Sequence, residues 1–145
     1  MPQQPAVDAI ILGSDGGPPD LRMEISGEPV SQGRARARTC GRDAKKRIVV
    51  YDPNKKYKDG LKRSVRRALT DLGWYDFPFF GNENVEMTIE FKIVQDNKDL
   101  DNMEKLILDV LSKIVYKDDK KVKSIHVKKE KTDEGSTKLY IKKLD

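Results

Sequence analysis

The chain has 145 residues, 37 % of them hydrophobic and 37 % charged, with a formal net charge of +5, one cysteine and one histidine. That length suits one domain with a modest core, and a lone Cys40 excludes an internal disulfide framework and fits a reducing compartment. Apolar runs stay far short of the roughly 20 residues of a membrane span, and Ala9-Ile10-Ile11-Leu12 is too short for a signal core, so a soluble cytoplasmic protein is expected.

The charge is unevenly spread. Residues 1–33 carry one basic and five acidic side chains, residues 34–72 fourteen basic and four acidic, and residues 73–145 fourteen basic and fifteen acidic. A cationic stretch therefore precedes a nearly neutral second half, which suggests a grip for a polyanion separated along the chain from a reactive centre.

In chain order, residues 1–20 are rich in Pro, Gln and Gly and read as a flexible extension with one short strand at Ile10–Leu12; residues 21–145 read as a single domain. Leu21–Ser26 alternates apolar and polar residues, the pattern of a half-buried strand, and Gly27-Glu28-Pro29 ends it. Arg34, Arg36 and Arg38 then fall at every second position, so in an extended chain they share one face and form a comb for successive phosphates. The plainer alternative is a solvated edge strand that merely discourages aggregation. Cys40–Asp43 reads as a turn and Arg47–Tyr51 as the returning strand, which together give a basic hairpin arm.

Asp52-Pro53 predicts a helix start, with Asp as N-cap and Pro in the first turn. Tyr57, Leu61, Val65, Ala68, Leu69 and Leu72 make its apolar stripe, and Lys55, Lys58, Lys62, Arg63, Arg66 and Arg67 its opposite face. Beside the arginine comb, that face is read as a DNA contact rather than as solvated surface only. The aromatic loop Trp74–Asn84 is expected to seal a core edge or a subunit contact rather than to stack on bases. Val85–Val94 is the clearest strand by alternation. It leads through Lys98, a further candidate DNA contact, into Asp99-Leu100-Asp101-Asn102, where Asp99 is the expected cap of a second helix with the stripe Leu100, Met103, Ile107, Val110, Leu111 and Ile114. Leu108 falls on the polar side of that helix, as an exposed subunit contact would. Ile114–Tyr116, Val122–Lys129 and Thr137–Lys143 read as short strands, the last two joined in a hairpin through Asp133–Ser136. The sum is an α+β fold: a mixed β-sheet packed by two helices, with the basic arm projecting.

Carboxylates at a helix start are usually no more than good capping, because the helix dipole favours anions there. Here Asp96, Asp99 and Asp101 gather at one strand-to-helix junction, Lys105 lies one turn beyond Asp101, and a second acidic pair, Asp118-Asp119, follows the helix. Converging carboxylates without a spare His or Cys suit hard Mg²⁺, with Mn²⁺ as a substitute. A calcium loop beginning at Asp99 fails, since Met103, Glu104 and Val110 stand where an oxygen ligand, Gly and Glu are needed. No phosphate-binding glycine loop is present. His126 reads as a structural strand residue, and Cys40 has no histidine partner for nucleophilic chemistry.

The run Asp99-Leu100-Asp101-Asn102 with Lys105, followed by Asp118-Asp119 and Val122, resembles the signature of the RusA family of Holliday-junction resolvases. Gly27–Arg36 resembles the basic N-terminal motif of many relatives, except that Ala35 stands where they often have Pro. The resemblance spans about residues 21 to 143. It implies a small, dimeric, Mg²⁺-dependent α/β endonuclease that cuts four-way DNA junctions in recombination and repair. It further implies that Asp99, Asp101 and Asp119 hold the metal, with Asp118 the other candidate of its pair, and that Lys105 assists at the phosphate. A two-fold dimer would match the symmetry of a junction and allow paired nicks. Two other readings compete: a non-catalytic DNA-binding or architectural module, and a basic RNA-binding domain.

Overall fold

The computed structural model describes residues 5–14, 17–41 and 47–144. Its elements are β1 (Val7–Ser14), β2 (Gly17–Ser26), β3 (Arg36–Cys40), β4 (Arg47–Tyr51), α1 (Lys55–Asp71), β5 (Val85–Ile93), α2 (Leu100–Leu111), a 3₁₀ turn at Asp119–Lys121, β6 (Val122–Lys131) and β7 (Ser136–Lys143). Five strands form one sheet in the order β1-β2-β7-β5-β6, and β3 and β4 pair separately as the arm. The α+β architecture is thus as expected from the sequence.

β5 organises the core. Val85, Met87, Ile89, Phe91 and Ile93 are all buried on its inner face. They share one cluster with Leu61, Val65 and Leu69 of α1 and with Met103, Leu106, Ile107, Val110 and Leu111 of α2. Each such side chain, fully buried, contributes about 1.5–3 kcal/mol. β6 runs parallel to β5, with Val85 opposite Val122 and Ile93 opposite Lys131, so α2 is the crossover that a parallel pair requires.

The structure corrects several sequence expectations. Residues 7–14 are a full strand paired to β2 from Val7↔Ile25 to Ser14↔Gly17, and β2 itself starts at Gly17, so the boundary expected after residue 20 falls inside β2. Val7, Ala9 and Ile11 pack against the core. The apolar Ile10 between them is 58 % exposed and obscured the alternation. α1 begins two residues later than Asp52-Pro53 predicts. Asn54 is its cap residue without a side-chain cap bond, and Asp52 Oδ1 instead accepts from Asn54 N–H at 2.8 Å. Leu72 lies beyond the helix and is exposed, and Lys58, expected on the solvated face, is buried. Leu108 is half-buried and packs against the core rather than standing exposed on the polar side of α2.

Ile114–Tyr116 is a tight turn rather than a strand: Lys113 takes φ 71° and its N–H donates to Tyr116 C=O at 2.7 Å. β6 and β7 do not form a hairpin, because β7 pairs antiparallel with β5 on the side opposite β6. The aromatic loop seals a core edge as expected. Phe79 and Phe80 are buried, with ring centroids 4.4 Å from Trp74 to Phe79 and 4.8 Å from Phe79 to Phe80. The turn expected at Cys40–Asp43 lies partly outside the described residues, as do the side chains of Arg38 and Cys40.

Candidate active site

α2 begins where the chain leaves the top of β5. Asp99 is extended (φ −76°, ψ 125°), and its carboxylate accepts from Asp101 N–H at 3.2 Å, the side-chain cap expected from sequence. Asn102 Nδ2 donates to the other Asp99 oxygen at 3.5 Å. Asp101 faces away from the core one residue into the helix, and Lys105 Nζ lies 3.1 Å from its carboxylate, with the two side chains 64 % and 60 % exposed. An anion and a cation thus stand side by side, open to solvent, where a phosphodiester could approach both. Glu104 joins them: burial first, and then Asp101, raise its carboxyl above the ordinary range, while Lys105 opposes the shift.

At the far end of α2 a second acidic group forms. The turn after Leu111 returns the chain, and Asp118 caps the 3₁₀ turn by accepting from Lys120 N–H at 2.9 Å. Asp119 follows it. Partial desolvation, and then the charges of Asp109 and Asp118, raise the Asp119 carboxyl above its usual range. Beneath it Tyr116 is fully buried and donates its hydroxyl to Leu108 C=O at 2.6 Å. Burial, followed by Asp119 and Asp109, pushes its phenol upward.

Asp109 is the member that sequence reasoning missed. It lies eight residues after Asp101 and four after Lys105, so the three share one helix face, and that spacing was the available signal. Lys58 of α1 reaches Asp109 at 2.6 Å and also pairs with Asp52. Burial opposes the Lys58 charge, but these two carboxylates outweigh it and raise its pKa.

The expected ligands therefore fall in two places. Asp99 and Asp101 stand at the start of α2, and Asp118 and Asp119 beyond its end, beside Asp109. Helical rise over the eight residues from Asp101 to Asp109 is about 12 Å. Among the described residues, no three of His, Cys, Asp or Glu converge closely enough to hold one metal ion. The donors suit a hard divalent cation in chemistry, but in this arrangement they do not encircle one.

Of the cations expected to meet DNA, Arg34, Arg36, Arg63 and Arg66 are exposed and Lys62 is half-buried, and none of these five forms an ion pair among the described residues. Arg36 and Arg38 occupy alternate positions of β3, whereas Arg34 precedes the strand. Lys98 is turned to Glu28 at 3.6 Å, and its side chain is only 22 % exposed.

A strand-to-helix junction rich in carboxylates, in a chain whose exposed guanidiniums form no ion pair among the described residues, suits a protein that acts on a polyanion. The profile of the family described as Endodeoxyribonuclease RusA matches residues 26–142, most of the chain, and the protein belongs to that family. It is therefore an endonuclease of the Holliday-junction resolvase type, acting on branched DNA. Such nucleases are generally dependent on a divalent metal. A search of curated proteins gives no match. Among the described residues no helix is long and apolar enough to cross a membrane.

Proposed function

We propose that the protein resolves four-way junctions by paired hydrolysis of phosphodiesters, that Mg²⁺ or Mn²⁺ supports the reaction, and that Asp99, Asp101, Lys105 and Asp119 carry it. The observation behind this reading is the exposed Asp101–Lys105 pair at the capped start of α2. A divalent cation held by Asp99 and Asp101 would supply a water of lowered pKa and neutralise charge on the phosphate. Lys105 presents an ammonium to a non-bridging oxygen, and the helix N-terminus adds favourable potential for the same anion. Asp99 fixes the first turn through its bond to Asp101 N–H, so the Asp101 backbone is set before substrate arrives. Asp119, with Asp118 beside it, is the further carboxylate of this reading and stands beyond the far end of α2, where a cation would offset the desolvation and then the charges of Asp109 and Asp118 that raise its carboxyl.

Arg34, Arg36, Arg38, Lys62, Arg63 and Arg66 grip the backbone of the arms, while Lys98 serves the junction loop as much as the DNA. Two copies related by a two-fold axis place one site on each of two opposed strands. The enzyme then acts in the cytoplasm, in recombination and repair. The test is single-turnover cleavage of a synthetic four-way junction with Mg²⁺. Asp101→Asn is expected to slow cleavage by about 10²–10³-fold, the loss of several kcal/mol of transition-state stabilisation. An Asp101→Asn protein that cuts at the parental rate sinks the assignment.

A further inference from the structure

The segment that carries the acidic site from β5 into α2 has no regular structure between Val94 and Asp99, and its residues 94–97 are exposed. Exposed connections of this kind are ordinarily the mobile parts of a fold. This one is held at three residues, and the first turn of α2 at a fourth, by residues distant in sequence. Both carboxylate oxygens of Glu28 accept from Val94 N–H, each at 3.0 Å, and Glu28 Oε1 lies 3.6 Å from Lys98 Nζ. Lys129 of β6 donates to Lys98 C=O at 3.0 Å and pairs with Asp96 at 3.0 Å. Gln32 N–H donates to Asn102 C=O in the first turn of α2 at 3.0 Å. The Gln32 side-chain amide reaches Asp52 Oδ1 at 3.0 Å, so the same residue ties the root of the arginine strand to the start of α1.

We infer that Glu28, Gln32 and Lys129 are positioning residues for the nuclease site. They brace residues 94–102 against the sheet and fix where Asp99 and Asp101 stand relative to the arginine strand. The inference rests on the reading of Asp99 and Asp101 as reacting groups. Glu28 is the principal brace, because it alone holds both the exit of β5 and the lysine before Asp99. A displacement of about 1 Å at a reacting group can cost two orders of magnitude in rate.

The experiment compares Glu28→Ala, Glu28→Gln and Lys129→Ala with the parent, using the full chain. Amide hydrogen exchange is expected to rise at least tenfold within residues 94–102 in Glu28→Ala and Lys129→Ala, while exchange within β5 and α1 stays as in the parent. Single-turnover cleavage of a four-way junction, with protein saturating, is expected to fall at least tenfold in Glu28→Ala with junction Kd within twofold. Glu28→Gln keeps an acceptor for Val94 N–H and is expected to recover the rate to within about threefold of the parent. Unchanged exchange at 94–102 overturns the brace, as does a Glu28→Gln protein no better than Glu28→Ala. A Kd that weakens in step with the rate assigns Glu28 to DNA binding and also overturns it. Lys129→Ala, on an exposed strand position, keeps the test open if Glu28→Ala does not fold. The exchange measurement needs no cleavage, so it separates failure of the brace from failure of the catalytic reading.

Discussion

Lys58 links α1 to α2 by charge, in addition to their shared apolar cluster. It is 8 % exposed, and its ammonium is shared between Asp52, before α1, and Asp109, on α2. Removing one partner from a buried ion pair leaves the remaining charges uncompensated, which costs more than the pair itself is worth. Asp109 is half open to solvent and can rehydrate, so Lys58→Met is expected to destabilise by about 1–3 kcal/mol rather than by the full penalty of a sealed pair. Urea unfolding with an unchanged m-value checks it, and an unchanged midpoint would show that the pair is idle. The Asp52 carboxyl is held down to about 2, first by its bond from Lys58. A depressed carboxylate contributes stability that is complete above its ordinary value, about 3.9, and is lost as pH falls through the folded value. Thermal melting should therefore show Asp52→Asn less stable than the parent by a constant amount above about pH 4.5. That gap should close as pH falls towards 2.

At the scale of elements, side-chain periodicity identified faces well and partners poorly. β5, most of the apolar stripe of α2 and the Asp99 cap were legible because each is a local pattern (alternation, helical spacing, and a short acceptor before a helix), although the stripe omits the buried Leu106 and extends to Ile114, beyond the helix. That β7 pairs with β5 and not with β6 was not legible, since alternation specifies which side of a strand is buried but not which strand lies beside it. Lys58 belongs by residue type on a basic face, although its long stem lets it lie buried with its charge paired. The two-ended acidic group was half legible: Asp99, Asp101, Asp118 and Asp119 stand out in the sequence but Asp109 does not, and their separation depends on the turn at Lys113 and on the direction of α2. The turn before β7 supplies a test at this scale. A Cβ on Gly135 would lie 2.6 Å from Glu28 Cα, a backbone atom with no freedom to move aside. Gly135→Ala is expected to cost about 1–3 kcal/mol by overpacking and to lower the melting temperature by several degrees. A Gly135→Ala protein as stable as the parent would mean that the turn and the Glu28 segment do not hold this close approach.

Over the whole molecule, charge is divided by task. Among the described residues, Arg36, Arg38 and Arg47 lie on β3 and β4 and Arg63, Arg66 and Arg67 on the exposed side of α1, whereas Asp101, Asp109 and the Asp118-Asp119 pair belong to α2 and the turn that follows it. A freestanding two-stranded arm is marginal in water on its own, so β3 and β4 gain most from a surface that their arginines can engage. Each phosphate neutralised by such a side chain releases condensed counterions, so binding weakens with salt by about 0.9 in logarithmic slope per contact on duplex DNA. Replacing Lys62, Arg63 and Arg66 together with alanine should therefore lower the slope of log K against log salt by about 2–3 for junction arms. Asp101→Asn removes an anion that pairs with Lys105 and no phosphate contact, so its slope should match the parent. Fluorescence anisotropy between roughly 50 and 200 mM salt, with Ca²⁺ in place of Mg²⁺ to hold cleavage off, makes the comparison directly. A triple variant with the parental slope would remove α1 from the DNA path and leave the arm alone as the grip.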